Sequence, residues 1–152
     1  MEIDEKHRLI LLYYPDLIDG VQVRAKLTIV IDPSKNGLEK VLRDYQIEAL
    51  QIIWNSDNKG MTSREVYQAV NKSLGSKTIS RASIINFLND MCDEGVLKYE
   101  EETCKGGTRR KYFTGLDELG FKKHVAKVVF KSLMKDFPVQ TREAVEEVIN
   151  DN

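Results

Sequence analysis

Cysteine and histidine are nearly absent from this chain of 152 residues, at two each. Cys92 and Cys104 offer neither a metal-ligand spacing nor a disulfide framework. His7 and His124 lie in different segments, with no carboxylate or cysteine at a ligand or catalytic spacing, and no glycine-rich phosphate loop is present. These absences make an enzyme the least supported class and lead to the expectation of no metal and no cofactor. No apolar run approaches the ~20 residues of a membrane helix, and Glu2, Asp4, Glu5 and Lys6 stand where an export signal would need an apolar stretch. The expectation is a cytoplasmic protein with reduced thiols and no membrane contact. At this length a core can form without staples.

A net charge of one sign is also lacking, since 23 Lys and Arg face 24 Asp and Glu. The distribution is more telling than the total. Residues 1–58 hold 7 cations and 10 acids, residues 59–114 hold 10 and 7, and residues 115–152 hold 6 and 7. Most of the central excess falls at Lys105, Arg109, Arg110 and Lys111, flanking Gly106-Gly107. That run reads as the tip of a charged hairpin, with strands 96–100 and 110–113 and the acids Glu100, Glu101 and Glu102 at its base.

Ahead of the hairpin come three helical patterns. Ile47, Leu50, Ile53 and Trp54 form one face of a helix over 44–55. Thr62 and Glu65 are spaced as a capping box for a second helix, whose inner face is Val66, Ala69 and Val70. After the turn at Gly75-Ser76-Lys77, Ser80 can cap a third helix with Ile84, Phe87, Leu88 and Met91 inward, closing at Gly95. Outward are Arg81, Ser83, Asn86 and Asn89, with Ala82 and Ile85 as small or apolar contacts. Asn can pair with adenine, Arg can fork onto guanine, and an aliphatic group can meet a thymine methyl. A plain solvent face would have the same composition; the basic hairpin that follows tips the reading toward DNA. The expected contacts are Ser80, Arg81, Ala82, Ser83, Ile85, Asn86, Asn89, Lys105, Arg109, Arg110 and Lys111. Acids at Asp90, Asp93 and Glu94 confine reading to the N-terminal half of the helix.

Residues 1–37 differ in character. Val21 to Ile31 alternates apolar and polar residues, a strand with one buried face; it can pair with 8–14 across Pro15-Asp16 and Asp19-Gly20, while a helix over 3–13 competes. Residues 32–37 serve as a linker. After the hairpin, Leu119, Val125, Val128, Val129 and Leu133 form a helical stripe between Asp117 and Asp136, ended by Phe137-Pro138. A second helix starting near Thr141 offers Ala144, Val145, Val148 and Ile149. These stripes exceed what the two helices can cover for each other, so Leu119, Val125, Val128, Val129, Leu133, Val145, Val148 and Ile149 are expected at a homodimer interface; packing onto the monomer's own core is the alternative.

The stretches YQIEALQIIW (45–54), TSREV (62–66), SIINFLNDM (83–91) and EGVL (94–97) resemble the BlaI/MecI/CopY penicillinase-repressor family over roughly residues 42–137. That resemblance implies a homodimeric winged-helix repressor on a palindromic operator, dimerising through its C-terminal helices. The chain departs from the family pattern at Ile85, where members often carry a basic residue, and at Asp136-Phe137-Pro138, where β-lactam-responsive members are cut at Asn-Phe. It has no cysteine after Cys104, which excludes the copper-sensing Cys-x-Cys route.

The fold expected is α+β: a winged helix-turn-helix core (38–114), an N-terminal β-strand or hairpin extension (1–37) and C-terminal dimerisation helices (115–152). The function expected is sequence-specific binding of double-stranded DNA, with room for an effector or regulatory protein as a further partner. A winged-helix protein-interaction module that binds no DNA competes, favoured by the acids at 90–102. A thiol switch at Cys104, beside the cation Lys105, is a third.

Overall fold

The computed structural model describes residues 29–152. The expected pairing of 8–14 with 21–31 therefore lies outside the described residues, apart from residues 29–31, which are not in a strand. A 3-10 turn at Gly37–Lys40 leads to helix α1 (Asp44–Trp54). Short strand β1 (Met61–Thr62), helix α2 (Ser63–Leu74) and helix α3 (Arg81–Asp93) follow. Strands β2 (Leu97–Cys104) and β3 (Gly107–Thr114) form the hairpin, and helices α4 (Glu118–Asp136) and α5 (Pro138–Asn150) complete the chain. Among the described residues the result is a mixed α+β fold with five α-helices and one antiparallel sheet in the order β1-β3-β2. This order and pairing are compatible with a winged helix.

Local chemistry sets the helix starts. The Thr62 hydroxyl accepts from the Glu65 N–H while the Glu65 carboxylate accepts from the Thr62 N–H at 2.7 Å, which satisfies two donors that a helix start leaves free. The Thr62 N–H and hydroxyl both donate to the Glu65 carboxylate and hold its carboxyl below the ordinary range. Ser80 caps α3 and Asp117 caps α4, each by accepting a backbone N–H three residues on. Helix α5 begins at Pro138, three residues before the start expected at Thr141. Proline has no N–H to leave unsatisfied in a first turn and its φ suits that position. Thr141 lies inside the helix instead, buried, with its hydroxyl donating to the Phe137 carbonyl.

One core joins the elements. Ala49, Leu50 and Ile53 of α1 meet Val66 and Val70 of α2, the inner row Ile84, Phe87, Leu88 and Met91 of α3, and Val96, Leu97, Tyr112 and Phe121. Ile47 is not in it; α1 is turned so that Ala49, with Tyr45 and Ile52 at the edge, faces inward in its place. The start of α4 is part of this body. The Trp54 indole N–H donates to the Leu116 carbonyl at 2.8 Å, and Phe121 packs against the Trp54 ring. Val125 is partly buried against the same core.

His124 faces Glu94 at the C-terminal end of α3, with Nε2 3.7 Å from the carboxylate. That is too long for a hydrogen bond, and Nε2 is buried without a hydrogen-bond partner among the described residues. Burial pushes the Glu94 carboxyl above its ordinary range; His124 opposes the shift, and Asp93 and Asp90 add to it.

Two outcomes follow from this packing. Gly60 holds φ +72, and a Cβ there would meet the Phe113 ring at 2.6 Å. Gly60→Ala should therefore destabilise the fold by roughly 1 kcal/mol or more, read as a lower denaturant midpoint. At Glu94 the folded state keeps its proton to higher pH than the unfolded chain does. The stability this contributes is full in acid and is lost as pH rises through and above the ordinary glutamate range of about 4 to 5. Denaturant midpoints of Glu94→Gln relative to wild type should shift in favour of the variant between pH 4 and pH 7; a constant difference across that range would remove Glu94 as the cause.

Candidate nucleic-acid interface

Helix α3 owes its placement to the turn before it. The Asn71 side chain on α2 bonds both backbone groups of Ile79: its oxygen accepts from the Ile79 N–H at 2.8 Å, and its amide donates to the Ile79 carbonyl at 3.2 Å and to that of Tyr67 at 3.1 Å. One side chain thus replaces the pairings that the irregular segment 75–80 cannot make for itself. Nothing in the hydrophobic periodicity marked Asn71. Its place eight residues before Ile79, which precedes the cap at Ser80, is the only sequence signal of this role.

With Ile84, Phe87, Leu88 and Met91 buried, α3 presents Arg81, Ala82 and Asn86 exposed, with Ser83 and Ile85 half-buried beside them. Arg81 has no ion pair among the described residues. Ser80 and Ser83 hydroxyls lie 2.8 Å apart and serve the helix cap. Asn86 makes no hydrogen bond through its side chain among the described residues. Asn89 differs from the outward residue expected: it is half-buried, and its Oδ1 accepts from Arg110 Nη1 at 3.0 Å and from the Tyr112 hydroxyl at 2.9 Å.

The hairpin also departs from the expectation. Its tip is Lys105-Gly106, between Cys104 and Gly107, while Arg109, Arg110 and Lys111 sit well down strand β3. Their partners across the sheet are Glu102, Glu101 and Glu100 in turn. The acids are therefore directly opposite the cations, not at a separate base. A glycine pair was the readable part: Gly106 and Gly107 hold φ +101 and +136, which a side chain would resist.

Strand parity then divides the cations. Successive side chains on a strand point to opposite faces, so Arg110 and Tyr112 share one face and Arg109 and Lys111 the other. On the first, the Arg110 guanidinium lies 4.0 Å over the Tyr99 ring, donates to Asn89 and stands 4.0 Å from Glu101. On the second, Arg109 is hydrogen-bonded to Glu102, and Lys111 lies 3.7 Å from the same carboxylate. Glu102 accordingly holds the Arg109 guanidinium above its ordinary value. Lys98 and Lys105 are exposed and have no ion pair among the described residues. The hairpin as a whole keeps five cations against three acids.

Tyr99 and Tyr112 were missed as parts of the site. They face each other across the strands, Tyr112 buried and Tyr99 exposed. Their alternation with Glu101 and Arg110 is a period-two signal that could have placed them on the face toward α3. Burial pushes the Tyr112 hydroxyl above its ordinary range, which keeps it a donor. Cys92, packed at the edge of the core, has its thiol pushed up to about 11 by burial, so it stays protonated at neutral pH. Cys104 ends β2, half-buried beside the tip. Among the described residues no group of His, Cys, Asp and Glu is placed to hold a metal ion, and no helix is long and apolar enough to cross a membrane.

No family model and no curated protein matches the chain. Among solved structures it is similar to the Aeropyrum pernix Orc1 protein in complex with DNA, at 16% identity and a TM-score of 0.46 over 61% of this chain. The chain spans about a quarter (26%) of that protein, a likeness too slight to bear on what this chain does.

Proposed function

We propose that this chain is a sequence-specific double-stranded-DNA-binding transcriptional regulator, a homodimeric repressor on a palindromic operator. The observation that carries the reading is the free N-terminal half of α3, with Arg81, Ala82, Ile85 and Asn86 turned outward beside a hairpin of net positive charge. A helix so presented fits the major groove, where Arg81 can fork onto guanine, Asn86 can pair with adenine and Ile85 can meet a thymine methyl. Lys105 at the tip and Lys98 are the cations best able to reach phosphate, because Arg109 and Lys111 already face Glu102. The proposal carries with it a cytoplasmic location, where Cys92 and Cys104 remain reduced. Its link to the penicillinase-repressor family rests on the resembling stretches of α1, α2 and α3.

The dimer is proposed to form through α4 and α5. Leu119, Val148 and Ile149 are 75%, 61% and 67% exposed, and Phe130, Leu133, Phe137 and Val139 are exposed as well. Val128, Val129 and Val145 are half-buried. Apolar surface on that scale is seldom left to water.

A second reading, a winged-helix module that binds protein and not DNA, is favoured by one observation: Glu101 and Glu102 neutralise much of the hairpin's charge. Titrations of randomised and selected duplexes at two salt concentrations separate the two. Under the first reading, Lys105→Ala weakens binding to every sequence and lowers the salt slope by about one. Arg81→Ala and Asn86→Ala then change preference at single base pairs by about 1–3 kcal/mol, and Arg109→Ala has the smaller effect because its charge is already matched. No saturable binding to any duplex at either salt concentration would instead favour the protein module. Leu133→Lys combined with Ile149→Lys should yield monomers by sedimentation and abolish preference for two-fold sites; an unchanged mass would exclude α4 and α5 as the seam.

A further inference from the structure

Asn86 and Asn89 stand one helical turn apart on the same face of α3, yet the structure makes them chemically different. The Asn89 carboxamide is fixed by Arg110. A guanidinium has five donors and no acceptor, so the atom facing Arg110 Nη1 at 3.0 Å must be the amide oxygen. Turning the amide over would set N–H against N–H. The Tyr112 hydroxyl, buried and donating to the same oxygen at 2.9 Å, locks that choice a second time. Arg110 is itself held by the Tyr99 ring and by Glu101, so the clamp has little freedom to rotate.

The amide nitrogen of Asn89 is therefore the end left over. It makes no hydrogen bond among the described residues, and it is not among the buried polar atoms without a partner, so it reaches solvent. Asparagine recognises adenine by using both ends at once, the oxygen accepting from N6 and the amide donating to N7. Asn89 has no oxygen to offer.

Resting on the DNA-binding reading above, we infer that Asn89 is a donor-only specificity residue, whose amide selects a base edge that only accepts: guanine N7 and O6, or thymine O4. Asn86, with neither end engaged, keeps the adenine chemistry. Arg110 is a positioning residue in this scheme: it touches no base, and it turns the Asn89 donor outward.

The test is selection from a pool of randomised duplexes by wild type and by Asn89→Asp. The aspartate keeps an oxygen for Arg110 and Tyr112 but turns an acceptor outward in place of the donor, and a carboxylate accepts from the cytosine N4 amino group. One position in each half-site should change from guanine or thymine to cytosine, with about a tenfold reversal of preference there. The rest of the motif should stay as in wild type. A motif unchanged at every position overturns the inference, whether affinity is kept or falls uniformly, since a uniform fall would mean that Asn89 meets phosphate. An adenine at that position in the wild-type motif overturns it too. Should Asn89→Asp fail to melt cooperatively, Asn89→Ala serves: loss of the guanine or thymine preference without gain of cytosine supports the inference, and a retained preference sinks it. If wild type enriches no sequence at all, the DNA-binding reading itself has failed; a wild-type motif that Asn89 does not influence faults only the residue assignment.

Discussion

The surface that α3 can offer a ligand is whatever its buried row leaves over. Ile84, Phe87, Leu88 and Met91 are inside the core, and with an apolar cost of roughly 1.5–3 kcal/mol for exposing each such side chain, the helix has one rotational setting. Arg81, Ala82, Ile85 and Asn86 then face outward together. The cap at Ser80 and the Asn71 staple on Ile79 decide where along its axis that face begins. Core packing thus does for the candidate interface what no residue within the interface could do for itself.

The hairpin is tied to that helix by a small polar network centred on the Asn89 oxygen. Asn89 accepts twice, Arg110 is stacked and hydrogen-bonded, and Tyr112 is buried with its hydroxyl engaged. In a low-dielectric setting such a network orients its members strongly, because breaking it would leave buried polar groups unpaired. It fixes the angle between helix and hairpin, and it withdraws Arg110 from the pool of cations open to a ligand. On the other face of the ribbon the Glu102 carboxylate does the same for Arg109 and, in part, for Lys111. Much of the hairpin's positive charge is therefore internal to it, and on α3 and the hairpin the exposed cations with no ion pair among the described residues are Arg81, Lys98 and Lys105.

At the far end of α3, His124 and Glu94 join the helix to α4. Together with the Trp54 bond to Leu116 and the packing of Phe121, this makes the first half of α4 an extension of the core. The apolar residues that remain outside, among them Leu133, Val148 and Ile149, lie farther along α4 and on α5. Any surface they form with a second copy would be rigidly connected to α3, a requirement for two reading helices to match two half-sites at a set separation.

Periodicity and capping chemistry were enough to place α1, α2, α3, the hairpin and the two last helices, since those signals depend on neighbours three or four residues away. Thr62 with Glu65, Ser80, the row from Ile84 to Met91 and the glycine pair at 106–107 could all be read this way. The start of α5 lies at Pro138 and not near Thr141, because proline suits a helix's first turn. The pairings were not legible. That Arg109 meets Glu102, that Arg110 stacks on Tyr99, that the Asn89 oxygen is taken by Arg110 and Tyr112 and that His124 reaches Glu94 depend on strand register and on how helices are rotated against the sheet. Composition showed how many charges the region 59–114 contains; only the folded arrangement decides which of them neutralise one another, because a salt bridge is set by distance in space and the chain's local pattern carries no measure of it.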